Sequence, residues 1–151
     1  MKQYKNNEQE KMDQVNEAAV AYGAVDNNNI FLLINSIKRG IRFPIFKNIV
    51  DKSAFNINEW SGFLHLSERT MQRYKKENKT FDPIYSEKIF EITMLFNYGK
   101  EVFGDEDNFN TWLQTKSVAL GGIAPKELLN NTFGIRLVKD ELTRIEHGVL
   151  A

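Results

Sequence analysis

Apolar residues recur along most of the chain at intervals of three and four positions, the spacing of helices that pack one face on a core. Residues 1–27 carry only a thin pattern of this kind and are rich in Asn, Gln and Glu, which indicates a weakly held N-terminal arm. The first strong amphipathic run consists of Ile30, Leu33, Ile34, Ile37 and Ile41. We expect this face to contribute to the core or to a contact between two copies of the chain.

Glycine, proline and short polar residues mark the expected helix ends. Gly40 would end the first helix, and Pro44 would open a short second helix. Asn58 is the expected N-cap of a helix over EWSGFL, and Ser67 is the expected N-cap of a helix over ERTMQRYKKEN. A longer helix is predicted from about residue 84 to residue 103.

The second half of the chain continues in helices. Gly104 would end the long helix, and Pro125 would open a short one. The final helix carries an apolar stripe of Ile135, Val138, Leu142 and Ile145. Because no segment alternates as a half-buried strand does, and no Asn-Gly hairpin signal occurs, the sequence predicts an all-α protein.

Composition excludes several classes of chemistry. The 151 residues include no cysteine, which excludes disulfides, zinc-thiolate sites and thiol catalysis and favours a cytoplasmic location. The two histidines, His65 and His147, are far apart in sequence, and no Gly-x-Ser-x-Gly motif occurs. The first residues form no apolar signal segment, and no apolar run is long enough to span a membrane. We therefore expect no enzyme, no metal, no cofactor and no membrane association.

Charge is distributed unevenly although the net charge is zero. Residues 36–80 carry ten basic and four acidic residues, a net +6, whereas residues 81–151 carry seven basic and eleven acidic residues, a net −4. This division favours polyanion binding by the middle of the chain and another role for its second half. Charge asymmetry of this size also arises on surfaces that bind no polyanion, so charge alone does not establish this function.

Residues 57–76 have the dimensions of a helix-turn-helix, two short helices joined by a turn of three to four residues. Ser61 and Gly62 are the small pair expected where the second helix crosses the first. His65 takes a turn position usually held by glycine, and we interpret it as a turn residue rather than a ligand or catalyst. The expected buried seam is Trp60, Leu64, Leu66, Met71 and Tyr74.

The second helix of such a unit enters the major groove of DNA. Arg69, Gln72 and Arg73 are residue types that read base edges. The other predicted DNA-contacting residues suit phosphate contacts and are Ser67, Thr70, Lys75, Lys76 and Lys79. The alternative is that the unit serves only as a packing module.

The C-terminal stretch contains several motifs in a fixed order: Trp-Leu, Ala-Leu-Gly-Gly, Pro followed by Leu-Leu, Gly, and Arg-Ile-Glu-His-Gly. These residues are Trp112, Leu113, Ala119, Leu120, Gly121, Gly122, Pro125, Leu128, Leu129, Gly134, Arg144, Ile145, Glu146, His147 and Gly148. The pattern resembles the toxin-binding domain of the Xre/MbcA/ParS antitoxin family. The helix-turn-helix is similar to the other half of that family, so the resemblance covers residues 36–149.

The resemblance implies a two-part antitoxin. Its Xre-like helix-turn-helix domain, residues 28–82, would bind operator double-stranded DNA of its own operon. Residues 83–151 would form a connecting helix and a small domain that blocks the active site of a cognate toxin, often of the RES type that degrades NAD. Two departures from the family pattern are the displacement of a threonine to Thr132 by Asn130 and Asn131, and Ala124 in place of a polar cap.

The end of the last helix has the features of a stable helix stop. Gly148 suits the left-handed position after the helix, and the positive side chains of Arg144 and His147 suit its negative end. The apolar residues that follow are suited to entering a pocket of another protein. The expected toxin-binding residues are Arg144, Glu146, His147, Gly148, Val149 and Leu150. A helix stop with no further role is the alternative.

Other interpretations remain open at this point. The chain would otherwise be a stand-alone helix-turn-helix transcriptional regulator with a C-terminal dimerisation or effector domain. A homodimer is expected in either case, because most operator-binding proteins are two-fold symmetric. Trp112 is interpreted as a core residue, with an interface anchor as the alternative, and Gly121 and Gly122 as a tight turn rather than a phosphate loop.

Overall fold

The computed structural model describes residues 30–148, which fold into seven α-helices. The helices are α1 (Ile30–Arg39), α2 (Phe43–Lys52), α3 (Ile57–Phe63), α4 (Glu68–Glu77), α5 (Pro83–Phe103), α6 (Glu106–Gln114) and α7 (Thr132–Glu146). Two 3-10 turns, Val118–Leu120 and Pro125–Leu128, connect α6 to α7. Within residues 30–148 the only strand-like pairing is two isolated bridges. The all-α prediction is therefore confirmed, while the N-terminal arm, residues 1–27, lies outside the described residues.

Aromatic rings make up much of the core between α2, α3 and α5. Trp60 of α3 is fully buried, and its ring centroid lies 5.7 Å from Phe46 of α2 and 5.9 Å from Phe96 of α5, both edge-on. Edge-to-face aromatic pairs at this separation add to the energy of burial. The ring of Trp60 therefore joins the helix-turn-helix to the long helix behind it.

Helix α5 is 21 residues long and connects the two halves of the protein. It packs against α1, α6 and α7. It buries Ile89, Ile92 and Phe96, and Gly104 ends it with a positive φ of 65°. Gly99 admits α6, because a Cβ at this position would lie 2.1 Å from the ring of Phe109. The prediction of a long, glycine-terminated helix is confirmed.

Helix α1 buries only part of its predicted apolar face. Leu33 and Ser36 are buried, whereas Ile30 and Ile34 are each 40% exposed. Gly40 fixes the orientation, since it is buried and a Cβ there would lie 2.2 Å from the carbonyl oxygen of Phe81. The sequence offered two roles for this face, the core or a contact between two copies: Leu33 and Ile41 enter the core, whereas Ile30 and Ile34 remain on the surface of this chain.

The start of α3 also differs from the expectation. Asn56, not Asn58, is the N-cap: its Oδ1 accepts from the backbone N–H of Glu59 at 2.9 Å. The Glu59 carboxylate in turn accepts from the backbone N–H of Asn56 at 2.9 Å. This reciprocal capping box needs an acidic residue three positions after the cap, and only Asn56 has one.

Candidate functional site

The helix-turn-helix consists of α3, α4 and the turn between them. His65 occupies the turn with a left-handed φ of 55°, and the backbone N–H of Leu66 donates to the carbonyl oxygen of Ser61 at 2.9 Å. The prediction that His65 serves the turn in this conformation is confirmed. The predicted seam is buried at Trp60, Leu64, Met71 and Tyr74, and Leu66 is partly buried.

Only one of the two expected small residues lies at the helix crossing. Ser61 is buried, and its hydroxyl donates to the carbonyl oxygen of Ile57 at 2.9 Å. Gly62 is exposed, and a Cβ at this position would meet nothing within 4 Å. The prediction that Gly62 makes room for α4 is therefore wrong, because it points away from the crossing.

Helix α4 presents a cationic face to solvent. This cationic face is formed by Arg69, Gln72, Arg73 and Lys76, all exposed. Their spacing of three, one and three residues places them on one side of the helix. Met71 and Tyr74 are buried on the opposite side and hold the helix in place. The face carries three positive side chains and no acidic one, the distribution that phosphate and guanine recognition require.

The remaining predicted DNA-contacting residues surround that face. The Ser67 hydroxyl accepts from the backbone N–H of Thr70 at 3.0 Å and donates to its hydroxyl at 2.8 Å. Ser67 is thus the N-cap that the sequence predicts. Lys75 is exposed but lies to one side of the cationic face. Lys79 stands 5.4 Å from the centre of the Tyr74 ring, and burial raises the pKa of that phenol.

The start of α7 explains one departure from the family pattern. The side chain of Asn131 accepts from the backbone N–H of Gly134 at 2.7 Å and caps the helix, so Thr132 becomes its first residue. Gly134 is required for close packing, because a Cβ there would lie 2.0 Å from the carbonyl oxygen of Leu128. The predicted buried stripe is confirmed at Ile135, Val138 and Leu142, and Ile145 is partly buried.

The other end of α7 holds the predicted toxin-binding residues. Gly148 has a φ of 66° and follows the C-cap, as predicted. Arg144 is exposed and donates to the Glu141 carboxylate at 3.2 Å. His147 is exposed as well. Val149 and Leu150 lie outside the described residues.

Glu146 differs from these residues because it faces α5. The hydroxyl of Tyr98 donates to its carboxylate at 2.5 Å and lies 3.2 Å from the Thr143 hydroxyl. The hydrogen bond to Glu146 raises the pKa of Tyr98 above that of an ordinary phenol. The two contacts of the Tyr98 hydroxyl hold the last turn of α7 against α5.

The structure also brings together two segments that the sequence did not connect. The imidazole Nε2 of His65, in the helix-turn-helix, donates to the backbone carbonyl of Asn130, just before α7. Nearby, the Lys88 ammonium of α5 lies 3.3 Å from the Thr132 hydroxyl. The turn before the recognition helix therefore touches the start of the C-terminal helix. No sequence signal indicates this contact, apart from a histidine where glycine is usual.

Trp112 is a core residue only in part. Its ring lies 5.6 Å from Phe103 and 6.2 Å from Phe109, and it stays partly exposed. Gly121 and Gly122 form the tight turn that the sequence predicts, with φ values of 78° and 81°.

A cluster of metal ligands and a membrane-spanning helix are both absent from residues 30–148. That range contains no group of three or more His, Cys, Asp or Glu side chains that could hold a metal ion. None of its helices is both long and apolar enough to cross a membrane.

Comparison with known proteins identifies both halves of the chain. Residues 32–93 match the family described as the antitoxin Xre-like helix-turn-helix domain. Residues 99–148 match the family described as the antitoxin Xre/MbcA/ParS C-terminal toxin-binding domain.

Two relatives cover most of the chain. A protein of Yersinia enterocolitica named Antitoxin Xre is 27% identical over 121 residues, which are 80% of this chain and 82% of that protein. A protein of Photorhabdus laumondii with the same name is 22% identical over 116 residues, 76% of this chain and 78% of that protein. Both are named as antitoxins and not as enzymes, in agreement with the sequence prediction.

Proposed function

Because the chain belongs to the Xre-type antitoxin family, we propose that it neutralises a cognate toxin and represses its own operon. The C-terminal domain binds the toxin, of the RES type that degrades NAD, and blocks its active site. The helix-turn-helix binds operator double-stranded DNA in the cytoplasm. The observation that carries the DNA-binding part is the cationic face of α4, exposed on a helix whose other side is buried.

The geometry of α4 supports base reading as well as phosphate contact. Arg69 lies in the first turn of the helix and Arg73 one turn later on the same side. A recognition helix places its N-terminal turns in the major groove, where an arginine pairs with the O6 and N7 atoms of guanine. Ser67, Thr70, Lys75 and Lys76 are proposed to hold the helix on the phosphates.

The last turn of α7 supports the proposed toxin contact. Arg144 and His147 are exposed there, and Gly148 ends the helix sharply. In the proposed complex these residues, with Glu146, Val149 and Leu150, occupy or border the active-site cleft of the toxin.

Truncation after Ile145 tests this contact. We expect the affinity for the toxin to fall by about 100-fold or more, the effect of removing several central interface residues. The fold should persist, because the buried stripe of α7 ends before Glu146. Growth rescue of toxin-expressing cells and a binding titration measure the effect, and circular dichroism checks the helices. Rescue equal to that of the full chain would contradict the proposed site.

A stand-alone regulator is the second candidate, since the cationic face would serve it equally well. The two functions differ in one property: an antitoxin co-purifies with the product of its neighbouring toxin gene and restores growth when that gene is expressed. A regulator with a C-terminal effector domain does neither.

The surface of α1 supports a proposed homodimer. Phe31 is 72% exposed beside Ile30 and Ile34, an apolar strip that the core of the chain does not use. Covering such a strip with a second copy would remove apolar area from water and give the two-fold symmetry typical of operator binding.

If the apolar strip of α1 forms the dimer contact, one charge added within it should separate the two copies. Phe31→Glu should convert a dimer into a monomer, because the carboxylate would be buried without a partner. Asn48→Glu adds the same charge at an exposed position of a different helix, α2, and serves as the control. Light scattering after size-exclusion chromatography gives the masses. A wild-type monomer, or a Phe31→Glu dimer, would rule out this interface.

A further inference from the structure

Helix α7 exposes two large apolar side chains that the core does not use. Phe133 is 75% exposed and Leu137 is 52% exposed, one helical turn apart. Both lie off the buried stripe of Ile135, Val138 and Leu142. Isolated apolar residues are common on protein surfaces, but two on adjacent turns of one helix form a contiguous apolar strip.

The same side of the helix carries charged residues closer to its last turn. Positions 133, 137, 140 and 144 follow spacings of four, three and four residues and therefore share one side of α7. Their occupants are Phe133, Leu137, Asp140 and Arg144. With a rise of 1.5 Å per residue, Phe133 and Arg144 lie about 16 Å apart along the helix axis. We call this side of α7 the outer stripe.

The aromatic end of the outer stripe has a cationic neighbour on the same helix. The guanidinium carbon of Arg136 lies 6.0 Å from the centre of the Phe133 ring. This cation–π contact restricts the ring on the surface, so less side-chain freedom is lost when a partner covers it. The far end of the outer stripe carries Arg144, which forms an ion pair with Glu141 of the same helix at 3.2 Å.

This inference rests on the proposed function. We propose that the toxin contact runs along the whole outer stripe and is not confined to the last turn. Phe133 and Leu137 are its apolar anchors, and the toxin provides an apolar groove for them and an acidic group near Arg144. The occupant is the toxin because α7 lies within residues 99–148, the part that matches a toxin-binding domain. The exposed apolar strip of α1 lies outside that matched range and is therefore not assigned to the toxin.

The arrangement is that of an amphipathic helix laid in a groove. Such helices present anchors at four- and seven-residue intervals. Leu137 follows Phe133 by four residues, and Arg144 follows Leu137 by seven. Interface energy concentrates in a few large side chains near the centre of the contact, and aromatic residues and arginine predominate among them. The outer stripe offers one phenylalanine, one leucine and one arginine for this role.

The experiment compares purified full-length variants in titrations against the purified product of the neighbouring toxin gene. Phe133→Ala/Leu137→Ala should weaken binding by about 100-fold, since two anchors are removed together. Its melting temperature and its affinity for operator DNA should stay near the wild-type values, because both side chains are largely outside the core. Ile84→Ala removes an apolar side chain that is 73% exposed on α5 and should bind the toxin as the wild type does.

Each result separates the extended contact from the proposed function. If the wild type fails to bind the toxin, the proposed function and the extended contact both fail. If the wild type binds and the double variant binds equally well, the extended contact fails while the proposed function stands. If the substitutions instead abolish self-association of the wild type, a second copy covers the outer stripe, and the assignment to the toxin is overturned.

Discussion

Replacing Arg69 and Arg73 together with alanine is expected to weaken binding to a duplex from the protein's own promoter region by about 100- to 1,000-fold. A well-placed arginine pair with guanine is worth about 1–3 kcal/mol, and each arginine also attracts phosphates. Both side chains are exposed on α4, while Met71 and Tyr74 on its other side hold the helix. The loss should therefore appear in DNA affinity and not in the melting temperature.

Fluorescence anisotropy at two salt concentrations measures this effect. Removing two phosphate-attracting charges should also flatten the salt dependence of binding, by about one in the log–log slope for each lost contact. Lys116→Ala/Lys139→Ala removes two exposed cations from the C-terminal half and is the control for net charge. Wild-type affinity in the arginine double variant would show that α4 does not read the operator.

Replacing Trp60 with alanine is expected to destabilise the protein by about 4 kcal/mol, in the range measured for deleting a buried aromatic side chain. The Trp60 ring is fully buried against Phe46 and Phe96. Its indole N–H donates to the Ser53 hydroxyl at 3.0 Å. Since a domain of this size is stable by only about 5–15 kcal/mol, a large part of the folding free energy would be lost.

Urea unfolding followed by circular dichroism measures the change. Trp60→Phe is the matched control: it keeps most of the apolar contact and loses the indole hydrogen bond, so about 1–2 kcal/mol is expected. Because Trp60 joins α3 to α5, operator and toxin binding of the alanine variant should decline together on heating, at a lower temperature than in the wild type. A destabilisation below about 1 kcal/mol would contradict the central place of this ring in the core.

The sequence predicts those parts of the fold that local signals determine. Ser67 caps α4 because its hydroxyl reaches the N–H of Thr70 within the same turn, and Gly148 ends α7 because it tolerates a positive φ. The length of α5 also follows from a continuous apolar period between Pro83 and Gly104. None of these depends on a distant partner.

Features that depend on tertiary contacts could not be predicted in this way. Ile30 and Ile34 have the spacing of core residues, but each is 40% exposed, whereas the polar Ser36 on the same helix is fully buried. The contact of His65 with Asn130 joins positions 65 residues apart. Only the packed chain shows these relations.

The exposed pair Phe133 and Leu137 is a partial exception. Both lie off the Ile135–Val138–Leu142 stripe, so the sequence predicts that they are on the opposite side of the helix from the buried face. Their exposure, however, depends on how α7 packs against the rest of the chain, and the family pattern directs attention to the last turn. The proposed contact extends that site toward the beginning of the helix.

The two candidate surfaces lie on one compact framework and use different residues. The cationic face of α4 is held by the seam of the helix-turn-helix, and the outer stripe of α7 is held by the packing of α7 on α5. The hydrogen bond from His65 to Asn130 brings the beginnings of α4 and α7 together. Because the two surfaces share no side chain, binding at one surface should survive a surface substitution at the other.

The most direct test is to titrate the toxin into the purified Arg69→Ala/Arg73→Ala variant. Toxin affinity within about twofold of the wild-type value, in a protein that no longer binds the operator, is the predicted result, since no outer-stripe residue has been altered. Loss of both activities in a variant that melts at the wild-type temperature would contradict separate DNA- and toxin-binding surfaces.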